Sequence, residues 1–181
     1  MQDPVISRIS KPGRFALPAA EAERFTSAMA MAATAVSVVT TDGAAGKFGL
    51  TVSAVSSVSA EPPMVLACIN RRSPLAEAVT RNKIFCINLL AASQSLISDV
   101  FAGRASEAVP YDFGCADWYS GMTGAPMLSD AAASFDCNLE AAHDAGTHRI
   151  IIGKVLQAAT GEQEPLVYAR RGYRAIADLE H

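Results

Sequence analysis

The chain has 181 residues and a formal net charge of −3, with a mean hydropathy of +0.21 and a pI near 5.6. No long basic run exists and aromatic residues make up 7%, so a nucleic-acid partner is not expected. The apolar runs are strand-sized, short of the ~20 residues a membrane span needs. In chain order, residues 1–18 carry Pro4, Pro12, Gly13 and Pro18 without a clear period and read as an extended arm. Ala19 to Ala33 reads as a helix, with Phe25, Met29 and Ala32 at helical spacing. Thr34 to Thr41 is a β-branched strand, and Asp42-Gly43 a turn. A strand then spans Phe48 to Ser59, ended by Pro62-Pro63, and Met64 to Asn70 is a buried strand. Ser73-Pro74 opens a helix ending near Asn82, with serine as N-cap and proline at the first helical position. Lys83 to Leu90 is a strand, and Ser93 to Gly103 a helix closed by its glycine. Glu107 to Gly124 reads as a long loop with one small strand at most. Ala133 to Ala145 alternates as a strand, Asp144-Ala145-Gly146 turns, and His148 to Ala159 pairs back. Pro165 to Tyr168 is a last strand, and Arg170 to Arg174 closes the chain.

Many antiparallel strands with few helices predict a mainly β fold in one domain over residues 19–178. Leu179-Glu180-His181 reads as a tag remnant. Charged residues are 18% of the chain, below the usual ~25%, which predicts a subunit interface hiding apolar surface. The cysteines Cys68, Cys86, Cys115 and Cys137 form no CxxC pair and read as small reduced hydrophobes. With no signal-peptide core near the N-terminus, a cytoplasmic location is expected.

The densest chemical signal lies between Gly46 and Asn70. Thr51, Ser53, Ser56, Ser57 and Ser59 crowd one strand. Buried hydroxyls need hydrogen-bond partners, so such a strand suits either a wall against a flat, polar-edged ligand such as a flavin ring or an edge facing water. Gly49, Thr51 and Ser53 are small enough for close backbone approach. Asn70-Arg71-Arg72-Ser73 joins a strand end to a helix N-terminus, a ready phosphate site or an ordinary cap. Arg104 follows Gly103 at a helix end, where a cation complements the dipole or grips a phosphate. His143 and His148 flank a tight turn, and no metal is expected there. Dinucleotide GxGxxG, P-loop and GxSxG motifs are absent.

Taken in order, eight segments resemble the short-chain flavin reductases of the FMN-binding split-barrel superfamily, the reductase components of two-component flavin monooxygenases. They are the helix Phe25 to Met29, Val36 to Thr41, Gly49 to Ser59 with Pro62-Pro63, Cys68-Ile69-Asn70 through Ser73, Phe101 to Arg104, Gly124 to Leu128, Ala142 to His148 with Gly153-Lys154-Val155, and Pro165 to Tyr168. One departure stands out: the family's Asp before the hairpin histidine is Thr147 here, and no carboxylate neighbour favours protonated His148.

The resemblance implies a six-stranded antiparallel Greek-key split β-barrel with flanking helices, working as a homodimer with flavin at the interface. It implies NAD(P)H-dependent reduction of FMN or FAD by hydride transfer. The reduced flavin would supply a monooxygenase partner or ferric iron. A split-barrel oxidase with tightly held flavin, and a non-catalytic flavin or haem binder, are the alternatives. On this resemblance Arg104 and Ser73 hold phosphate, and Arg104 and His148 serve the hydride step. Gly49, Leu50, Thr51, Val52, Ser53, Ser56, Ser57, Cys68, Ile69, Asn70, His143 and Tyr173 complete the expected flavin site.

Overall fold

The computed structural model describes residues 20–106 and 108–178. The expected arm and tag remnant fall outside them. A short helix, α1 (Ala22–Met29), precedes β1 (Thr34–Ala35) and β2 (Ser37–Thr41). Then come β3 (Phe48–Val52), β4 (Val55–Ala60) and β5 (Pro63–Asn70). Helix α2 (Pro74–Asn82), β6 (Ile84–Leu89) and α3 (Ser95–Phe101) follow. The last third holds β7 (Trp118–Ser120), β8 (Pro126–Leu128), β9 (Ala133–Ala145), β10 (His148–Thr160), β11 (Val167–Ala169) and β12 (Gly172–Arg174).

The mainly β class with few helices holds, but the six-stranded closed barrel is corrected. The principal sheet has seven strands in the order β3-β2-β6-β9-β10-β5-β4, and its end strands β3 and β4 are not hydrogen-bonded to one another. The cause is local. The strand expected from Phe48 to Ser59 breaks at Ser53-Ala54: β3 pairs with β2 up to Val52, whereas the Ala54 carbonyl already accepts from Cys68 N–H in register with the β4–β5 ladder. Its two halves therefore sit at opposite ends of the sheet. The segment expected as one strand from Thr34 also splits, and β1 joins β11 and β12 in a separate small sheet. The expected loop after Glu107 carries a 3-10 turn at Phe113–Cys115 and the β7–β8 pair.

The main core lies inside the curved sheet. Val39, Ile69, Phe85, Ile87 and Ile151 meet Leu75 and Val79 of α2, all essentially sealed from solvent. Helix α2 forms where expected: the Ser73 hydroxyl accepts from Leu75 N–H, Pro74 takes the first turn, and Lys83 closes the helix in the left-handed region at φ 65°. A second core gathers under α3, where Phe101, Phe113 and Trp118 stack edge-on with centroids 5.0 to 5.6 Å apart. Each such pair contributes about 0.5–1.5 kcal/mol beyond area burial, and the cluster pins the loop around Phe113 beneath β3.

Gly153, at an irregular step of the β9–β10 ladder, is a packing requirement. A Cβ there would collide with the Phe85 ring and lie 2.8 Å from Cys137 Cβ. Gly153→Ala is expected to lower stability by about 1–3 kcal/mol through overpacking, read as a reduced urea midpoint with an unchanged m-value.

Candidate active site

β3 is the terminal strand of the sheet and has a ladder partner, β2, on one side only. Its free edge extends about 17 Å over five residues. Two concave regions flank it. At the Phe48 end a cavity of about 460 Å³ is lined by Lys47, Gly49, Leu50, Asn70, Arg72 and Ser73, among others. At the Val52 end a cavity of about 180 Å³ is lined by Thr51, Val52, Ser53, Ser98, Arg104 and Tyr173, among others. Ser53 also lines a larger, mostly apolar cavity of about 590 Å³, with Ser56, Ser57, Leu89, Phe135 and Val155.

The first cavity collects anion-binding groups. The N-terminus of α2 opens into it through Ser73, Pro74 and Leu75, so the positive end of the helix dipole points there, while the Leu75 and Ala76 N–H groups are already taken by the Ser73 hydroxyl and carbonyl. Asn70 shapes the entry, because its side-chain oxygen accepts from Arg72 N–H at 3.0 Å. Arg72 itself has no ion-pair partner among the described residues. Lys47 Nζ stands 4.2 Å from the Phe113 ring centroid, a cation–π contact that fixes its direction. Lys47 and Tyr111 escape a reading of the sequence, since neither belongs to a local motif and both arrive through loop packing.

Ser73 and Arg104 are expected on one phosphate, yet they line separate cavities with no lining residue in common. Thr51 ties the second cavity together by donating from Oγ1 to the Ser98 carbonyl at 2.8 Å. Val52 and Ile69 face the core, so only their backbone is free to meet a ligand. Gly49 lines the first cavity, but the Phe101 ring fills the space a side chain would need: a Cβ at Gly49 would lie 2.7 Å from ring atom Cδ1. Ser56 and Ser57 are exposed on β4, and Cys68 is half-buried on β5.

His148 sits directly opposite Asn70 across the β5–β10 ladder, and opposed antiparallel residues share a face. Its Nδ1 shares a hydrogen bond with the Thr147 hydroxyl at 2.9 Å, where the family places a carboxylate. His143, opposite Ile150 on the same hairpin, stands on that same face, exposed. The other face carries charge. Arg149 donates to both carboxylate oxygens of Asp144, at 2.8 and 3.3 Å, and Arg71 approaches at 3.2 Å. Hydrogen bonding by Arg149, with its charge and that of Arg71, holds the Asp144 carboxyl below its ordinary range. That stabilisation is present above the unfolded carboxylate pKa and fades as pH falls through the lowered one. Burial pushes the Cys137 thiol up to about 12 and raises Cys86 as well, so neither of these two serves as an ionised group.

One buried hydroxyl lacks a partner. Ser37 Oγ, on β2, is sealed and has no hydrogen bond among the described residues, and Ser37 lines the 590 Å³ cavity. An orphaned hydroxyl beside an apolar recess fits a ligand with a flat apolar body and polar edges. A flavin ring has that character, and the residues present fit it.

Comparison with known proteins supports the same reading. A family profile described as "Flavin reductase like domain" matches residues 29–177. The chain is 42% identical over 160 residues to "FMN reductase (NADH) RutF" of Variovorax paradoxus, covering 87% of each chain. It superposes with a TM-score of 0.80 on flavin reductase PheA2, at 30% identity, covering 88% of this chain and 100% of that one. On the styrene monooxygenase flavin reductase of Pseudomonas putida the TM-score is 0.75, at 26% identity, covering 86% of this chain and 99% of that one.

Proposed function

The chain belongs to the flavin reductase like domain family, and from that premise we propose that it reduces FMN with NADH and releases the reduced flavin to a flavin-dependent monooxygenase. The observation that carries this reading is the free edge of β3, set between an anion-binding cavity and a hydroxyl-lined one. Flavin chemistry needs little from the protein beyond stacking geometry and charge compensation. FMN is the substrate: its phosphate rests against Ser73, Arg72 and the α2 N-terminus, and its ring extends along β3 toward Thr51 and Ser53. The outward backbone groups of β3 meet the polar edge of the ring. The named relatives favour NADH and FMN over NADPH and FAD, and several structural neighbours are components of two-component oxygenase systems. Reduction of ferric iron by the released flavin would follow from the same chemistry.

A homodimer completes this reading. The apolar cavity beside Ser53 is open, and Val58 of β4 and Leu156 of β10 are 47% and 41% exposed. A second copy covering that cavity would enclose the ring, in keeping with the low charge fraction.

The decisive assay mixes purified protein with FMN, FAD or riboflavin and either NADH or NADPH under air. NADH oxidation over many turnovers, with the highest kcat/KM for FMN, is the expected result. Flavin binding without nicotinamide oxidation sinks the reading in favour of a passive binder. His148 stands beside Asn70, which lines the first cavity, and in this pose it holds NADH at the phosphate end of the flavin. His148→Ala is expected to slow anaerobic flavin bleaching about tenfold or more, with the FMN Kd within about twofold of wild type. An unchanged reduction rate in stopped-flow would remove His148 from the mechanism.

A further inference from the structure

The first cavity is larger than the phosphate placed in it. A phosphate takes the space of a few water molecules, each ~30 Å³. This cavity measures about 460 Å³, within the range of roughly 300–1,000 Å³ that encloses a drug-sized ligand. Beside Arg72 and Ser73 its wall presents Phe48, Leu50, Pro74 and Tyr111, apolar and aromatic surface that a phosphate does not use. It also holds a second cation. Lys47 lines it and has no ion-pair partner among the described residues. Tyr111 is the unusual member. Its backbone is left-handed at φ 62°, a conformation that bulky residues seldom adopt. Its N–H donates to the Val100 carbonyl at 3.1 Å. Its hydroxyl occupies the space over Gly103, where a Cβ would lie 2.6 Å away. The ring is thus fixed at both ends and still 51% exposed. An aromatic ring held in the wall of a cavity and open to solvent is a ready stacking surface for a planar group.

We propose that this cavity is also an adenylate subsite: the adenine of a dinucleotide stacks on Tyr111 and its phosphate meets Lys47, while the flavin phosphate keeps Arg72 and Ser73. This rests on the reading of the chain as a flavin reductase with its flavin phosphate at α2. Two dinucleotides carry the group. In FAD the adenylate is bonded to the flavin phosphate and so falls in the same cavity. NADH, held by His148 at that end, brings its own. In either case two phosphates meet two cations, and the purine covers the apolar wall that FMN alone leaves open.

The test removes the ring and leaves the backbone at ease. Glycine suits φ 62°, so Tyr111→Gly deletes the stacking surface without straining the turn, and Tyr111→Phe keeps it. Two ratios are measured for wild type and each variant. The first is the Kd for FAD over the Kd for FMN, by equilibrium dialysis. The second is the KM for NADH over the KM for reduced nicotinamide mononucleotide, which lacks the adenylate, with FMN as acceptor. If FAD supplies the adenine, Tyr111→Gly raises the first ratio about tenfold, the usual scale of a lost base–aromatic stack. If NADH supplies it, the second ratio rises by a similar factor. Tyr111→Phe stays near wild type in both. Lys47→Met, on a different segment, should raise the same ratio as Tyr111→Gly, and it decides the matter if the glycine variant does not fold by circular dichroism. Both ratios within about twofold of wild type, or equal losses for FMN and FAD with NADH unmoved, overturn the proposal while leaving the flavin reductase reading intact. Wild type that binds neither flavin and oxidises no NADH overturns that reading, and the subsite with it.

Discussion

Replacing Asn88 by alanine is expected to destabilise the protein by about 3–5 kcal/mol, among the largest effects of any single substitution. Asn88 is fully buried on β6. Its Nδ2 donates to the Val38 carbonyl, Thr40 Oγ1 and the Pro126 carbonyl at 3.2 to 3.4 Å. Its Oδ1 accepts from Leu128 N–H at 2.8 Å and from the Ser134 hydroxyl at 3.0 Å. One side chain thus joins β2, β6, β8 and β9. Alanine would leave the Leu128 N–H and the Ser134 hydroxyl buried without acceptors, and would open a void. Each orphaned group costs about 1–3 kcal/mol, and a network of this kind fails as a unit. Urea unfolding followed by circular dichroism measures the loss, and a change below about 1 kcal/mol would show that water or a backbone shift replaces the amide.

Arg72→Ala is expected to raise the FMN Kd about 10- to 100-fold while leaving riboflavin binding unchanged. A charge-assisted hydrogen bond contributes about 1.5–3 kcal/mol, and each 1.4 kcal/mol is a factor of ten. The comparison is clean because the Arg72 side chain makes no ion pair among the described residues, so its removal costs the fold little. The salt dependence of FMN binding should flatten as well, since a contact between exposed charges is screened. Fluorescence quenching titrations at low and high ionic strength read both effects. Equal losses for FMN and riboflavin would move the phosphate away from the α2 N-terminus.

Much of the molecule is legible in the residues alone. Ser73-Pro74 announces the start of α2 because a hydroxyl cap and a proline at the first turn satisfy the orphan N–H groups there. Gly103 announces the end of α3 because the left-handed turn there suits a residue without a side chain. Alternation over Ala133 to Ala145 announces β9, because one face packs inward while the other meets water. The family follows from segments in order, each weak alone. The hydroxyl run from Thr51 to Ser59 reads as one strand, however, and the break at Ser53-Ala54 leaves no sign in it. Nothing local distinguishes a strand that continues from one whose halves pair with different partners.

The chemical inventory of the site is therefore set by local sequence: the hydroxyls of β3 and β4, the capped α2 N-terminus and the arginines at 72 and 104. Which of them share a cavity is settled by the tertiary structure. Ser73 and Arg104 read as two hands on one phosphate, yet in the structure they line different cavities beside β3. Asp99 and Tyr173 lie 74 positions apart in the chain and still meet at 2.7 Å. Helix caps and strand alternation depend on neighbours a few residues away, so a linear reading finds them. The meeting of Asp99 with Tyr173 and the orphaned Ser37 hydroxyl depend on which strands become edges, and that is decided only when the whole sheet has formed.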